Sequence, residues 1–204
     1  MKQDLTELIV CLDESGSMGS VTNDTIGGFN TFLETHQVLP GEAKLTLVKF
    51  NTKYEIVHNG TNIKSAKPLD KNTYTPGGMT ALLDTVGKTI DEVGRRLAAT
   101  SEDERPSKVI FMVLTDGEEN SSHEYTKEQI KEKTEHQEKT YGWHFLYLGA
   151  DQDAWANAKN IGIKNSVNFK QSDMYNIINS TTLYSAKYRT TKKAIDFNFV
   201  HDSL

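Results

Sequence analysis

Val109-Ile110-Phe111-Met112-Val113-Leu114 is a run of six apolar residues with no polar side chain among them. A strand with one face in water alternates apolar and polar residues, and this run does not. The pattern predicts a central strand covered on both faces, as in a parallel sheet with helices above and below. Leu8 to Leu12, Leu45 to Phe50 and Phe145 to Leu148 are similar short runs, each ending at Asp, Asn or Gly, and Ser166-Val167-Asn168-Phe169 reads as a last strand.

Between these runs lie segments with helical spacing. Ile26, Phe29 and Phe32/Leu33 form one apolar stripe, and Leu82/Leu83, Val86, Ile90, Val93 and Leu97 form a second. Lys127 to Thr140 is mostly charged, with Ile130 almost alone as an apolar anchor, and reads as a shallow surface helix. Asp153 to Ala158 suggests a short helix. Only Asn51-Thr52-Lys53 separates Leu45–Phe50 from Tyr54-Glu55-Ile56-Val57-His58. A parallel crossover needs a dozen residues or more, so this pair must be an antiparallel hairpin. The expected architecture is α/β: a Rossmann-like three-layer sandwich with a mostly parallel central sheet, one antiparallel edge strand and helices on both faces. Residues 1–170 are expected to hold this domain. Residues 171–204 then form a C-terminal helix and tail packed on it or extending it, with Met174, Ile177, Ile178 and Leu183 at helical spacing.

A formal net charge of −5 gives the chain no global pull toward nucleic acid or anionic membrane. Lys187, Arg189, Lys192 and Lys193, with Tyr184 and Tyr188, make a basic patch too small to change that, and it reads as a solvated helix face. Cys11 is the only cysteine and sits inside an apolar run, so it is expected to be a buried, inert thiol in a reducing, cytoplasmic setting. The stretch Leu8 to Leu12 is too short to span a bilayer.

Directly after the first strand comes Asp13-Glu14-Ser15-Gly16-Ser17-Met18-Gly19, with side-chain oxygens at alternate positions of a tight loop. In an open α/β sheet, ligands gather at the carboxyl ends of the strands, near the point where strand order reverses. The central strand ends in Leu114-Thr115-Asp116-Gly117-Glu118, which sets a second carboxylate at the same edge. Pro76-Gly77-Gly78-Met79-Thr80-Ala81 delivers a hydroxyl where the second helix begins. Two carboxylates and three hydroxyls, with no His or Cys nearby, favour a hard cation: Mg²⁺ first, or Mn²⁺ or Ca²⁺.

Asp13-x-Ser15-x-Ser17, Thr80 in a Gly-Gly-x-Thr loop and Asp116 in Leu-Thr-Asp-Gly together resemble the metal-ion-dependent adhesion site of von Willebrand factor A domains. The resemblance covers roughly Leu5 to Phe169, includes the antiparallel edge hairpin, and leaves the C-terminal tail outside. It implies that Ser15, Ser17 and Thr80 surround the metal while Asp13 and Asp116 act largely through water. Neutral hydroxyls offset a cation's charge poorly, so a metal held this way seeks one more anionic oxygen. The function expected is a non-enzymatic protein-binding module that engages a partner's Asp or Glu, in a stand-alone intracellular microbial or phage setting, as an adaptor or subunit of a larger complex.

Each piece alone has an ordinary explanation: a serine N-cap, a threonine cap and an Asp-Gly turn. Their joint order at strand ends decides for the site. Glu118, Glu119 and Asn120 are expected to be solvated. Asp151 and Asp153 are assigned to capping the short helix. An alternative is a phosphohydrolase of the haloacid-dehalogenase type with Asp13 as nucleophile. That chemistry wants a second Asp where Ser15 stands and a lysine at the same sheet edge, whereas Lys108 lies at the start of its strand. Nucleotide binding lacks its glycine-rich phosphate loops.

Overall fold

The computed structural model describes residues 1–150, 153–191 and 197. Its six strands are β1 (Lys2–Asp13), β2 (Glu42–Phe50), β3 (Tyr54–Asn62), β4 (Pro106–Thr115), β5 (His144–Ala150) and β6 (Asn165–Phe169). They form one sheet in the order β3-β2-β1-β4-β5-β6. Every neighbouring pair is parallel except β2 and β3, so the three-residue connection does make an antiparallel hairpin, and β3 is an edge. β1 starts earlier than its apolar run, because it pairs with β2 from Leu5 and with β4 from the exposed Lys2.

Alternation along the central strands feeds two separate cores, which is why these runs carry no polar residues. Leu8, Val10 and Leu12 of β1 join Ile110, Met112 and Leu114 of β4 on one face. Ile9 and Cys11 join Val109, Phe111 and Val113 on the other. The first face is covered by α1 (Thr22–Val38) and α5 (Met174–Thr190), through Phe29, Phe32, Leu33, Met174 and Ile177. The second is covered by α2 (Leu82–Ala98), α3 (Lys127–Tyr141) and α4 (Ala154–Asn160), through Val86, Ile90, Ile130 and Ala158. Each of the larger of these buried apolar side chains, Ala158 apart, contributes about 1.5–3 kcal/mol, which ties the helices to the sheet. The mostly charged α3 forms because its ends are well made. Thr126 and Gln129 close a capping box, Gly142 ends the helix at φ 67°, and Ile130 is wholly buried.

The C-terminal helix forms with Met174, Ile177 and Ile178 buried as the spacing predicts, and the stripe departs only at its end. Leu183 is exposed, and Tyr184 is buried in its place. Of the basic patch, Lys187 is exposed as expected, whereas Arg189 is not. Arg189 is buried between α1 and α5, donating from Nη1 to His36 Nδ1 at 2.8 Å and to the His36 carbonyl at 3.0 Å. Although next to last in α5, Arg189 still lies in the α1–α5 seam, so its charge is bonded inward. Lys192, Lys193 and Asp151 lie outside the described residues.

Strand order reverses between β1 and β4, and this positions the site. β2 and β3 extend the sheet to one side, and β5 and β6 to the other. Leu12 is level with Leu114, so the residues just beyond, Asp13 and Thr115-Asp116, emerge side by side at the carboxyl edge.

Candidate metal centre

Asp13 ends β1, and Ser15 and Ser17 enter the 3-10 turn Gly16–Val21. Asp13 Oδ1 accepts from the Ser15 N–H at 2.7 Å, and its Oδ2 accepts from the Thr115 hydroxyl at 2.5 Å. Ser15 Oγ and Ser17 Oγ share a hydrogen bond of 3.1 Å, and the Ser17 hydroxyl donates to Asp116 Oδ1 at 2.6 Å. Thr80 closes the ring. A Cβ placed on Gly117 would sit 2.6 Å from Thr80 Oγ1 and 3.5 Å from both Asp13 Oδ2 and Ser15 Oγ. Three oxygens, two from the end of β1 and the loop after it and one from the loop before α2, therefore face one small space that a glycine of the loop after β4 keeps open. All five residues that the sequence singles out are brought together.

The donor set fits a hard divalent cation. Asp13 is fully buried, and its carboxyl is pushed up to about 6, chiefly by burial, with the Asp116 charge adding to it against the bonds from Thr115 and Ser15. A carboxylate held so far from water is short of positive charge. The Ser17 proton points at Asp116, so Ser17 Oγ accepts from the Ser15 hydroxyl and keeps one lone pair. Among the described residues no group of three or more His, Cys, Asp or Glu could hold a metal ion; the candidate centre consists of two carboxylates and three hydroxyls.

The ordinary explanations of the serines and threonine fail on geometry. Neither Ser15 nor Thr80 caps a helix: the residue at the start of α2 is Ala81, which has no side-chain cap bond, and the Ser15 side chain makes no cap bond to its turn. Glu119 does the capping instead. Its carboxylate accepts from the backbone N–H of Leu83 at 2.9 Å, of Ser121 at 3.0 Å and of Ser122 at 2.7 Å. Asn120 Oδ1 accepts from the Thr80 N–H at 2.8 Å, and its own N–H donates to the Thr80 carbonyl at 3.1 Å. The expectation of solvation is thereby corrected for Glu119, which is half-buried, while Asn120 is exposed as expected and also bonds the Thr80 backbone. They fold back onto the start of α2 because its free N–H groups need acceptors. Glu118 alone of the three is exposed with no such role.

Other supporting residues carry no pattern in sequence. Tyr74 donates from its hydroxyl to the Asp13 carbonyl at 2.5 Å. Glu14 turns away from the centre, pairs with Lys49 at 3.2 Å and accepts from the Thr75 N–H at 2.5 Å. Together they lash the Pro76–Thr80 loop to the end of β1. Gly78, at φ 80°, provides the turn there and accepts through its carbonyl from the Gly16 N–H at 3.1 Å. An acid and an aromatic in such loops look like surface residues until the loops meet.

This sheet order, with a metal-type cluster at its switch point, coincides with a match along most of the sequence. The sequence model of the von Willebrand factor type A domain matches residues 7–183. The chain belongs to that family. The match reaches into α5, beyond the Leu5–Phe169 span that carries the resemblance in sequence. No curated protein matches the chain. Among solved structures, the vWF domain of the type V pili tip protein Mfa5 from Porphyromonas gingivalis superposes with a TM-score of 0.60 at 9% identity, covering 94% of this chain and 98% of that one. A von Willebrand factor type A protein from Catenulispora acidiphila gives 0.57 at 14% identity, over 91% of this chain and 43% of that one. The mussel byssus proximal thread matrix protein 1 with a zinc-occupied MIDAS motif gives 0.57 at 13% identity, over 91% of this chain and 47% of that one. These likenesses are of fold, and the VWA domain described here spans less than half the length of the last two proteins.

Other polar groups of this VWA domain are engaged elsewhere. Lys108, at the opposite edge of the sheet, donates to the carbonyls of Tyr188, Arg189 and Thr191 at 2.7, 2.8 and 2.6 Å and closes the end of α5. Asp153 caps α4, accepting from the Ala156 N–H at 3.0 Å. Cys11 is buried with its thiol pushed up to about 12 by burial, as expected of an inert cysteine. Among the described residues no helix is long and apolar enough to cross a membrane.

Proposed function

We propose that this VWA domain is a non-catalytic, metal-dependent protein-binding module. Ser15, Ser17 and Thr80, with Asp13 and Asp116, would hold a divalent cation, Mg²⁺ first and Mn²⁺ or Ca²⁺ as alternatives. The observation that carries this reading is the open space at Gly117, where Thr80 Oγ1, Asp13 Oδ2 and Ser15 Oγ converge. When bound, the cation supplies an electrophilic position for one more anionic oxygen, and the partner's Asp or Glu carboxylate is the group that would take it. The protein's own part is to hold its oxygens in place. Thr115 and the Ser15 N–H orient Asp13, Asn120 fixes the backbone of Thr80, and Glu119 anchors the helix behind it. An adaptor or subunit role in a larger complex goes with this reading. So does a cytoplasmic setting, in which the thiol of Cys11 stays reduced.

Calorimetric titration with Mg²⁺ tests the metal, with Asp13→Ala as the control expected to lose binding. Affinity capture from the source organism tests the partner. Proteins retained in Mg²⁺ should be released by chelator and should be missing with Asp13→Ala. A captured set unchanged by both treatments would refute the module's dependence on metal.

A further inference from the structure

A fourth segment reaches the centre from the far side of the sheet. Gln171 lies two residues beyond β6, in the 3-10 turn Gln171–Asp173 that leads into α5. Its Nε2 is 2.6 Å from Asp116 Oδ2 and 3.1 Å from the Ser17 carbonyl oxygen. Both neighbours are pure acceptors, so the amide must present its NH₂ end, and both protons are used. The Asp116 carboxylate is then held from two sides, by the Ser17 hydroxyl on Oδ1 and by Gln171 on Oδ2. One side chain thus joins the loop after β1, the loop after β4 and the entry to α5.

We propose that Gln171 is a positioning residue of the metal centre, holding the Asp116 carboxylate and the Ser17 backbone in the arrangement that takes up the divalent cation. The proposal rests on the metal reading given above. A carboxylate on a loop turns freely about its side-chain bonds. Fixing both oxygens removes that freedom before the cation arrives, and groups that orient ligands in this way commonly change metal affinity by about 10- to 100-fold. Gln171 meets this description through a charge-assisted bond to one candidate ligand and a bond to the backbone of another.

The test needs a control for mere structural support, and the fold contains one. Gln37 on α1 is a partly buried glutamine whose amide likewise makes two bonds to backbone carbonyls, of Ile63 at 3.1 Å and Ala66 at 3.3 Å, among residues that take no part in the centre. Mg²⁺ affinity by calorimetry, and melting temperature in chelator, are measured for the wild type, Gln171→Leu and Gln37→Leu. The expected result is a Kd for Mg²⁺ raised at least about tenfold in Gln171→Leu. Gln37→Leu should lower the melting temperature and leave the Kd unchanged. A Gln171→Leu Kd within about twofold of wild type, or an equal loss of affinity in Gln37→Leu, overturns the positioning role while the metal reading stands. Absence of Mg²⁺ uptake by the wild type itself overturns the metal reading and this role with it.

Discussion

Replacing Asp13 by asparagine should make the metal-free protein more stable. Asp13 is fully buried, and its carboxyl is raised from 3.8 to about 6, mainly by burial. A group whose folded pKa lies above its unfolded value supports folding while protonated. That contribution is complete below about pH 4 and is lost as the pH rises through about 6. Two pKa units at about 1.4 kcal/mol each come to roughly 3 kcal/mol lost at neutral pH without a cation. Asparagine removes the charge and can keep the bonds. Its carbonyl accepts from the Ser15 N–H, and its amide donates to Thr115 Oγ1, whose own proton can turn to the Gly117 carbonyl 3.1 Å away. In chelator at about pH 7.5, Asp13→Asn should therefore melt up to about 6–12 °C above wild type, taking 2–4 °C per kcal/mol for a chain of this size. The gain should vanish near pH 4, where the wild-type carboxyl is protonated. Added Mg²⁺ should raise the melting temperature of the wild type and leave the variant where it is. Differential scanning calorimetry at the two pH values reads all of this. If Asp13→Asn melts at or below wild type in chelator at the higher pH, the charge of Asp13 is not held at a cost, and the electrostatic argument for a cation at this position fails.

Gly117→Ala would place a methyl group 2.6 Å from Thr80 Oγ1, closer than real contacts allow. It should weaken Mg²⁺ binding at least about tenfold by calorimetric titration, and lower stability by about 1–3 kcal/mol. Glu119→Ala takes the acceptor from the Leu83 N–H at the start of α2 and from the Ser121 and Ser122 N–H groups of its own loop, and should cost about 1–2 kcal/mol in urea unfolding. His36 is buried with Arg189 donating to its Nδ1, and burial, with Arg189 adding, lowers its pKa to about 3. Its neutral form supports folding above about pH 6.5, and that support is lost as the pH falls through about 3, by roughly 5 kcal/mol in all. His36→Gln should accordingly flatten the decline of stability between about pH 6.5 and 4. An equally steep decline in the variant would show that another group is responsible.

Much of this was legible in the sequence, for a physical reason. Strands buried on both faces must be apolar throughout, and a three-residue link leaves a hairpin no choice, so Val109–Leu114 and Asn51–Lys53 between them dictate a mostly parallel sheet with one antiparallel edge. Asp13, Ser15, Ser17, Thr80 and Asp116 were legible because the ends of adjacent parallel strands open onto one crevice. Tertiary structure alone decided what surrounds them. Glu119, Asn120, Tyr74 and Gln171 show no periodicity, and their hydrogen-bond partners lie as far as 154 residues away, as between Gln171 and Ser17. The same holds for Arg189 and Tyr184, whose polar ends promise solvent and instead find partners inside, His36 of α1 for Arg189 and His144 of β5 for Tyr184. Hydrophobic pattern is a local property that each segment carries by itself, whereas satisfying a buried polar group requires a partner that only the closed fold brings within 3 Å or so.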